Sequence, residues 1–251
     1  EDGTVPGAVV CVAQRGTVVW HQAYGAAALI PVRRPMQRQT LFDVASLTKV
    51  LATTTLTLLA WQQQCYTLDA PLQAFYPQTI DTPLGRVTVR QLLAHTGGLT
   101  AWLPLYEALC GPALEARAGR SPRGQRQHAA DLILRQPLAY TPGTQTLYSD
   151  LGFMLLADIL ETHYQQNLES LFVRYVAQPL GLQSLGYHPR TSVVQSPETV
   201  EAYAATEACP WRGRVLVGEV HDENAWAMGG VAGHAGLFAT AGAIWHFVHA
   251  M

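Results

Sequence analysis

Phe42-Asp43-Val44-Ala45-Ser46-Leu47-Thr48-Lys49 is the stretch on which the reading of this chain turns. Lys49 is its only lysine; the other fifteen basic residues are arginine. With seven serines in 251 residues, a lone lysine falls three places after one by chance about 3 times in 100, and Ser-x-x-Lys is a pattern with known chemistry. A guanidinium stays protonated in proteins, whereas an ammonium loses its proton when desolvated or set beside another cation. Residues i and i+3 share a helix face, so this hydroxyl and amine approach hydrogen-bonding distance. A serine hydroxyl is a weak nucleophile until a neighbour takes its proton.

Outward from this segment the apolar residues Val50, Leu51, Leu58, Leu59 and Trp61 recur with helical spacing up to Cys65. Ser46 therefore stands at a helix N-terminus, where free N–H groups favour developing negative charge. Upstream, Gly7 to Gln14 and Thr17 to Tyr24 read as a β-hairpin around Arg15-Gly16, and 26–42 reads as loop. Downstream, a short helix from Val89 stops at Gly97-Gly98. Further helices are expected near 103–117, 128–135, 151–163, 167–177 and 243–251, the last without a cap. Tyr140-Thr141-Pro142-Gly143 turns the chain toward Tyr148-Ser149-Asp150, and 186–218 reads as mostly irregular. Tyr148 alone reads as a half-buried core tyrosine; beside Ser46 and Lys49 it becomes a second proton-handling group.

The net charge of −2 and the scattered arginines argue against nucleic acid as a partner. The Arg117 to Arg126 stretch reads as a solvated loop. No run reaches eighteen apolar residues, so no membrane span is expected. A chain starting at Glu1 with no signal peptide reads as processed or trimmed. Cys11, Cys65, Cys110 and Cys209 form no CxxC pair; Cys11 is expected to be buried. His95, His221 and His234, with Asp222 and Glu223, match no standard zinc spacing, so neither metal nor cofactor is expected. His95 is expected to bond a backbone carbonyl near its turn. Val220 to Trp226 either lines a cleft or braces the catalytic loop. Trp102, Trp211 and Trp226 either shape a cleft or pack in core.

Taken together, these segments resemble the serine β-lactamase and penicillin-binding superfamily, class C-like branch, which includes DD-carboxypeptidases and esterases. Phe42 to Lys49 resembles its nucleophile motif, Leu92-Leu93-Ala94-His95-Thr96-Gly97-Gly98-Leu99 its helix-turn marker, and Tyr148-Ser149-Asp150 its Tyr-x-Asn motif. Val220 to Trp226 and Met228-Gly229-Gly230-Val231-Ala232-Gly233-His234-Ala235-Gly236-Leu237-Phe238 resemble the penicillin-binding protein 4B (YfeW-like) group. The resemblance runs from about Gly7 to the end.

It implies an α/β fold with an antiparallel sheet flanked by helices. Residues 1–64 and about 186–251 would form the α/β part, and about 65–185 a helical subdomain. It implies an acyl-enzyme formed on Ser46, with Lys49 and Tyr148 moving its proton and the Ser46 N–H forming half of an oxyanion hole. Asp150, Ser149, His234 and Gly236 are the implied substrate-binding positions. The implied substrate is a small peptide ending in D-alanyl-D-alanine, a β-lactam or an ester, and the implied location is the periplasm or cell envelope.

Two departures qualify this. Asp150 stands where most of the superfamily has asparagine; ionised, it accepts hydrogen bonds but donates none. It would also hold Lys49 charged, favouring Tyr148 as base. The third motif, Lys/His-Thr-Gly on a strand, is not found: His234-Ala235-Gly236 precedes a helix, and His95-Thr96-Gly97 follows one. The chain therefore reads as a fragment lacking C-terminal strands, partner-dependent or poorly soluble alone, with a complementary C-terminal segment as one partner. A catalytically inactive binding homologue stays open on the same ground.

Overall fold

The computed structural model describes residues 4–110, 121–188 and 197–251. Strands β1 (Gly7–Gln14) and β2 (Thr17–Ala28) form the expected antiparallel hairpin, from Gly7 opposite Gly25 to Gln14 opposite Thr17. Arg15 and Gly16 turn it with φ of 50° and 78°, the left-handed pair that a two-residue hairpin turn requires. β2 runs four residues beyond Tyr24 because Ala26, Ala27 and Ala28 are buried, and Ala26 and Ala28 pair with β3 (Arg34–Pro35). The stretch 26–42 is thus not simply loop. Its strands are two residues long, too short to show a period of two.

β4 (Phe42–Asp43) and β5 (Leu185–Tyr187) flank a common partner. β6 (Ala205–Cys209) and β7 (Arg214–Val217) form a separate hairpin, so 186–218 is more regular than its prolines suggest. Pro210 lies in the connecting turn and Pro197 opens a helix, places where a missing N–H costs nothing. The partner of β4 and β5 is β8 (Leu237–Ala239), buried throughout and antiparallel to both.

The nucleophile segment becomes helical at Leu47, widens into a π-type turn over Lys49–Thr54 and continues as α1 (Thr55–Gln62). α2 (Val89–Leu93) begins with a Thr88–Gln91 capping box, which satisfies two orphan N–H groups. α3 (Leu105–Cys110) realises part of the expected 103–117 helix; 111–120 lie outside the described residues. α4 (Pro122–Leu134) replaces the end of the expected solvated loop: the Ser121 hydroxyl accepts the Gly124 N–H and Pro122 presets the first turn. α5 (Asp150–Tyr164) and α6 (Leu168–Phe172) fall where helical periodicity placed them. α7 (Pro197–Ala202), α8 (Glu223–Ala227) and α9 (Ala241–Ala250) complete the helices. α9 is capped after all, the Thr240 hydroxyl accepting the Ala243 N–H.

α5 is buried from Leu151 to Glu161, as a helix apolar on every side must be. Leu151, Phe153, Leu155 and Ile159 face a cluster with α2, α3, α4 and α8. Ala157 and Leu160 face a second, with Leu51, Leu56, Phe172 and Leu237. Complete burial of each leucine contributes at most about 3 kcal/mol. Arg126, expected in solvent, is 4% exposed: it forks onto Glu161 at 2.6 and 2.9 Å and reaches the carbonyls of Met228 and Val231. On the hairpin Val12, Val19 and Trp20 are exposed, and Cys11 is half-buried rather than buried. None of the four cysteines is in a disulfide, and among the described residues no helix is long and apolar enough to cross a membrane.

Candidate active site

Three elements converge on Lys49. The first is the loop before α1. Ala45 has φ of 45°, unusual for a residue with a Cβ, and is held there by its N–H donating to Asp43 Oδ1 at 2.8 Å. The other Asp43 oxygen accepts the His221 N–H at 2.7 Å. Burial raises the Asp43 carboxyl, partly offset by these two N–H groups. The Thr48 hydroxyl accepts the Leu237 N–H and Val44 N–H donates to the Leu237 carbonyl, tying the loop to β8.

The second element is the approach to α5. The His95 ring accepts the Ser149 N–H at Nδ1, 3.0 Å, so His95 is structural but bonds a backbone amide, not the expected carbonyl. Burial, then the Lys49 charge, pushes the His95 pKa down, in keeping with an acceptor nitrogen. Ser149 donates its hydroxyl to the Thr100 carbonyl, and Asp150 N–H donates to the Ala101 carbonyl. Tyr148 packs its ring 4.5 Å from that of His95 and leaves half its surface exposed.

The third is the glycine-rich turn after α8. A Cβ on Gly233 would collide with the Phe153 carbonyl oxygen, and one on Gly236, at φ 120°, would lie 2.6 Å from the Gly230 oxygen. These glycines let the turn pass between α5 and the nucleophile helix. Thr53 donates its hydroxyl to the Gly233 carbonyl at 2.6 Å.

At the convergence Lys49 is 2% exposed. Its Nζ donates to Ser46 Oγ at 2.9 Å and to the His234 carbonyl at 3.2 Å, and lies 2.7 Å from Asp150 Oδ1. Two hydrogen bonds and one carboxylate contact thus surround the ammonium. The Tyr148 ring centroid is 4.8 Å from the same nitrogen. Ser46, Lys49, Tyr148 and Asp150 thus share one site. Ser149 supports it, His234 meets it through its backbone, and Gly236 is buried in the turn behind.

Asp222 is the residue whose place spacing did not reveal. It caps α8 through the Ala225 N–H and accepts His234 Nε2 at 2.8 Å. Burial would raise its carboxyl, but the charge and hydrogen bond of His234, the Ala225 N–H and Lys49 pull it down to about 2. Ligand-capable atoms of Asp150, Asp222 and His234 lie within 4.8 Å of one another. No linear zinc pattern shows this, because the three come from different elements, and the Lys49 ammonium already contacts Asp150. His95 and His221 stand apart: His221 faces Glu207 at 3.4 Å. Val220 to Trp226 braces the nucleophile loop through His221, and Asn224 fixes α3 through the Tyr106 N–H and the Leu103 carbonyl. Trp226 is buried, while Trp102 is exposed.

A family model described as Beta-lactamase matches residues 1–251. The chain belongs to the beta-lactamase family. Within it, the chain is 31% identical over 260 residues to a Bacillus subtilis (strain 168) protein named N-acetylmuramyl-L-alanine amidase, covering 94% of this chain and 56% of that one. It is 32% identical over 251 residues to an Escherichia coli (strain K12) protein named for D-alanyl-D-alanine carboxypeptidase activity, covering 90% and 55%. A solved class C beta-lactamase superposes with a TM-score of 0.70 at 20% identity, covering 97% of this chain and 59% of that one. The chain therefore has the β-lactamase-like fold and spans about half the length of the curated relatives it matches.

Proposed function

We propose that this chain carries the catalytic groups of a serine hydrolase that works through an acyl-Ser46 intermediate. The observation behind this is the 2.9 Å contact of the buried Lys49 ammonium with Ser46 Oγ. Ser46 Oγ attacks the substrate carbonyl, and its proton passes through Tyr148 to the leaving group. Water then cleaves the acyl ester. Lys49, hydrogen-bonded to Ser46 and the His234 carbonyl and ion-paired with Asp150, orients Ser46 and stabilises negative charge at the Tyr148 oxygen. The Ser46 N–H supplies half of the oxyanion hole.

Within this reading the enzyme is a D-alanyl-D-alanine carboxypeptidase-like hydrolase of the cell envelope, close to the penicillin-binding protein 4B group. Asp150 and Ser149 border the substrate, His234 and Gly236 act from behind the lysine, and residues 65–185 are the helical subdomain. Relatives named for carboxypeptidase and amidase activity support this. Asp150 supports an esterase as the second reading, because an ionised carboxylate cannot donate to a peptide or lactam carbonyl.

Labelling by a fluorescent penicillin and by a fluorophosphonate separates the readings, with Ser46→Ala as control. Labelling by both supports the carboxypeptidase and by fluorophosphonate alone the esterase. Labelling by neither overturns the hydrolase and leaves a binding homologue.

A further inference from the structure

We propose that Asp222 and His234 are a positioning pair for Lys49: the Asp222 carboxylate fixes the His234 ring, and with it the carbonyl that takes one N–H of the ammonium. The pair deepens the acyl-serine reading and, for its kinetic arm, rests on it.

The geometry runs in one connected path. Asp222 Oδ1 lies 2.8 Å from His234 Nε2, the His234 carbonyl 3.2 Å from Lys49 Nζ, and Lys49 Nζ 2.9 Å from Ser46 Oγ. His234 is 1% exposed, so its ring has no solvent with which to exchange that bond. The turn has glycine at 233 and 236, and glycine alone does not fix a backbone; a buried ring hydrogen-bonded to a part-buried carboxylate does. Asp222 is itself fixed, its Oδ1 accepting the Ala225 N–H at 2.7 Å while neighbouring His221 is latched to Asp43. The anchor therefore ties the nucleophile loop and the lysine's acceptor to the same short segment.

The charge balance argues the same way. Asp150 at the start of α5 contacts Lys49 directly, and Asp222 is close enough to feel the lysine's charge. His95 and Tyr148 face Lys49 from the α5 approach, Asp43 and His221 face Asp222 from the β4 side, and His234 completes the set. Removing the Asp222 acceptor should free the His234 ring and, with it, the carbonyl that meets Lys49.

Because Lys49 is the only lysine, protein labelled with 13C at lysine Cε shows one lysine resonance, whose chemical shift and linewidth read the site without any activity. In Asp222→Ser, whose hydroxyl can still cap α8 but is too short to hold the His234 ring, this resonance is expected to shift and broaden. The rate of fluorophosphonate labelling of Ser46 should drop about tenfold. His234→Gln, which keeps a side-chain N–H donor, should restore most of the rate that His234→Ala loses. An unmoved lysine resonance in Asp222→Ser, or equal losses in the two His234 variants, overturns the pair. If the parent protein is not labelled at Ser46, the acyl-serine reading fails while the lysine resonance still decides for or against the pair.

Discussion

Lys49 Nζ stands 2.7 Å from Asp150 Oδ1, an ion pair between the nucleophile helix and the start of α5. The lysine is 3% and the aspartate 17% exposed at the side chain, so water screens the pair little. Asp150 thereby exchanges the hydrogen-bond donor an asparagine would offer for a charge opposite to the lysine's.

Asp150→Asn should therefore move two properties in opposite directions. Losing the charge of a buried pair costs up to about 3 kcal/mol, moderated because an amide oxygen keeps a dipole facing Lys49. The new amide N–H can meet a peptide or lactam carbonyl. The expected outcome is a lower denaturant midpoint together with more penicillin labelling relative to fluorophosphonate labelling. A variant that is less stable with an unchanged labelling ratio would refute the specificity role of Asp150.

Tyr148→Phe tests the proton path. Tyr148 is half exposed, so removing its hydroxyl should alter stability by less than about 0.5 kcal/mol. The rate of acylation should fall about 10²- to 10⁴-fold, the usual range for losing a general acid or base. Stopped-flow fluorophosphonate labelling measures this. A rate within threefold of the parent's would remove Tyr148 from the mechanism and return the serine's proton to Lys49.

How much of this was legible beforehand depends on how local the signal is. Ser46, Lys49, Tyr148 and Asp150 were all readable, the first pair because i and i+3 share a face and the second because they sit at a loop-to-helix junction. Asp222 was noticed only as part of a cluster tested against linear metal spacings; its partner His234 is across the α8 turn, and no periodicity links them. Arg126 was misplaced because a run of Gly, Arg and Gln looks solvated, and only the fold reveals Glu161 waiting inside. β3 and β4 were missed because two-residue strands have no period.

Burial gives Asp158 a titration above the usual carboxylate range. It is 6% exposed, accepts the Tyr76 hydroxyl at 2.8 Å at one oxygen, and burial raises its carboxyl from 3.8 to about 6. Below about pH 4 the group is protonated both folded and unfolded. As pH rises from about 4 to 6 the unfolded chain releases the proton and the folded chain retains it, so stability falls across this window. Above about pH 6 the cost is constant, about 3 kcal/mol from the two-unit difference. Asp158→Asn keeps an acceptor for Tyr76 and removes the cost. Urea unfolding should find the variant no more stable than the parent at pH 4 and about 1–3 kcal/mol more stable at pH 7.5. An equal difference at both pH values would show that Asp158 does not titrate this way.

The Arg126–Glu161 pair makes the strongest stability prediction. The guanidinium fork spans α4 and α5 and also donates to the carbonyls of Met228 and Val231, while Glu161 accepts the Leu168 N–H at 2.7 Å. Removing one partner strands a buried charge and unpairs several backbone groups, at a cost of about 3–5 kcal/mol. Arg126→Met keeps most of the volume and should lose that much in urea unfolding, a large share of a typical domain's stability. Arg126→Met with Glu161→Leu removes both charges of the fork, leaving only the partly exposed Glu169 without its 3.7 Å contact, and the double variant should recover at least half of the loss. Because the fork holds the turn leading to His234, Arg126→Met should also slow Ser46 labelling, with partial recovery in the double variant at most, since neither new side chain can donate to Met228 or Val231. Stability losses that simply add in the double variant would show that the two side chains act independently, contrary to the 2.6 Å contact between them.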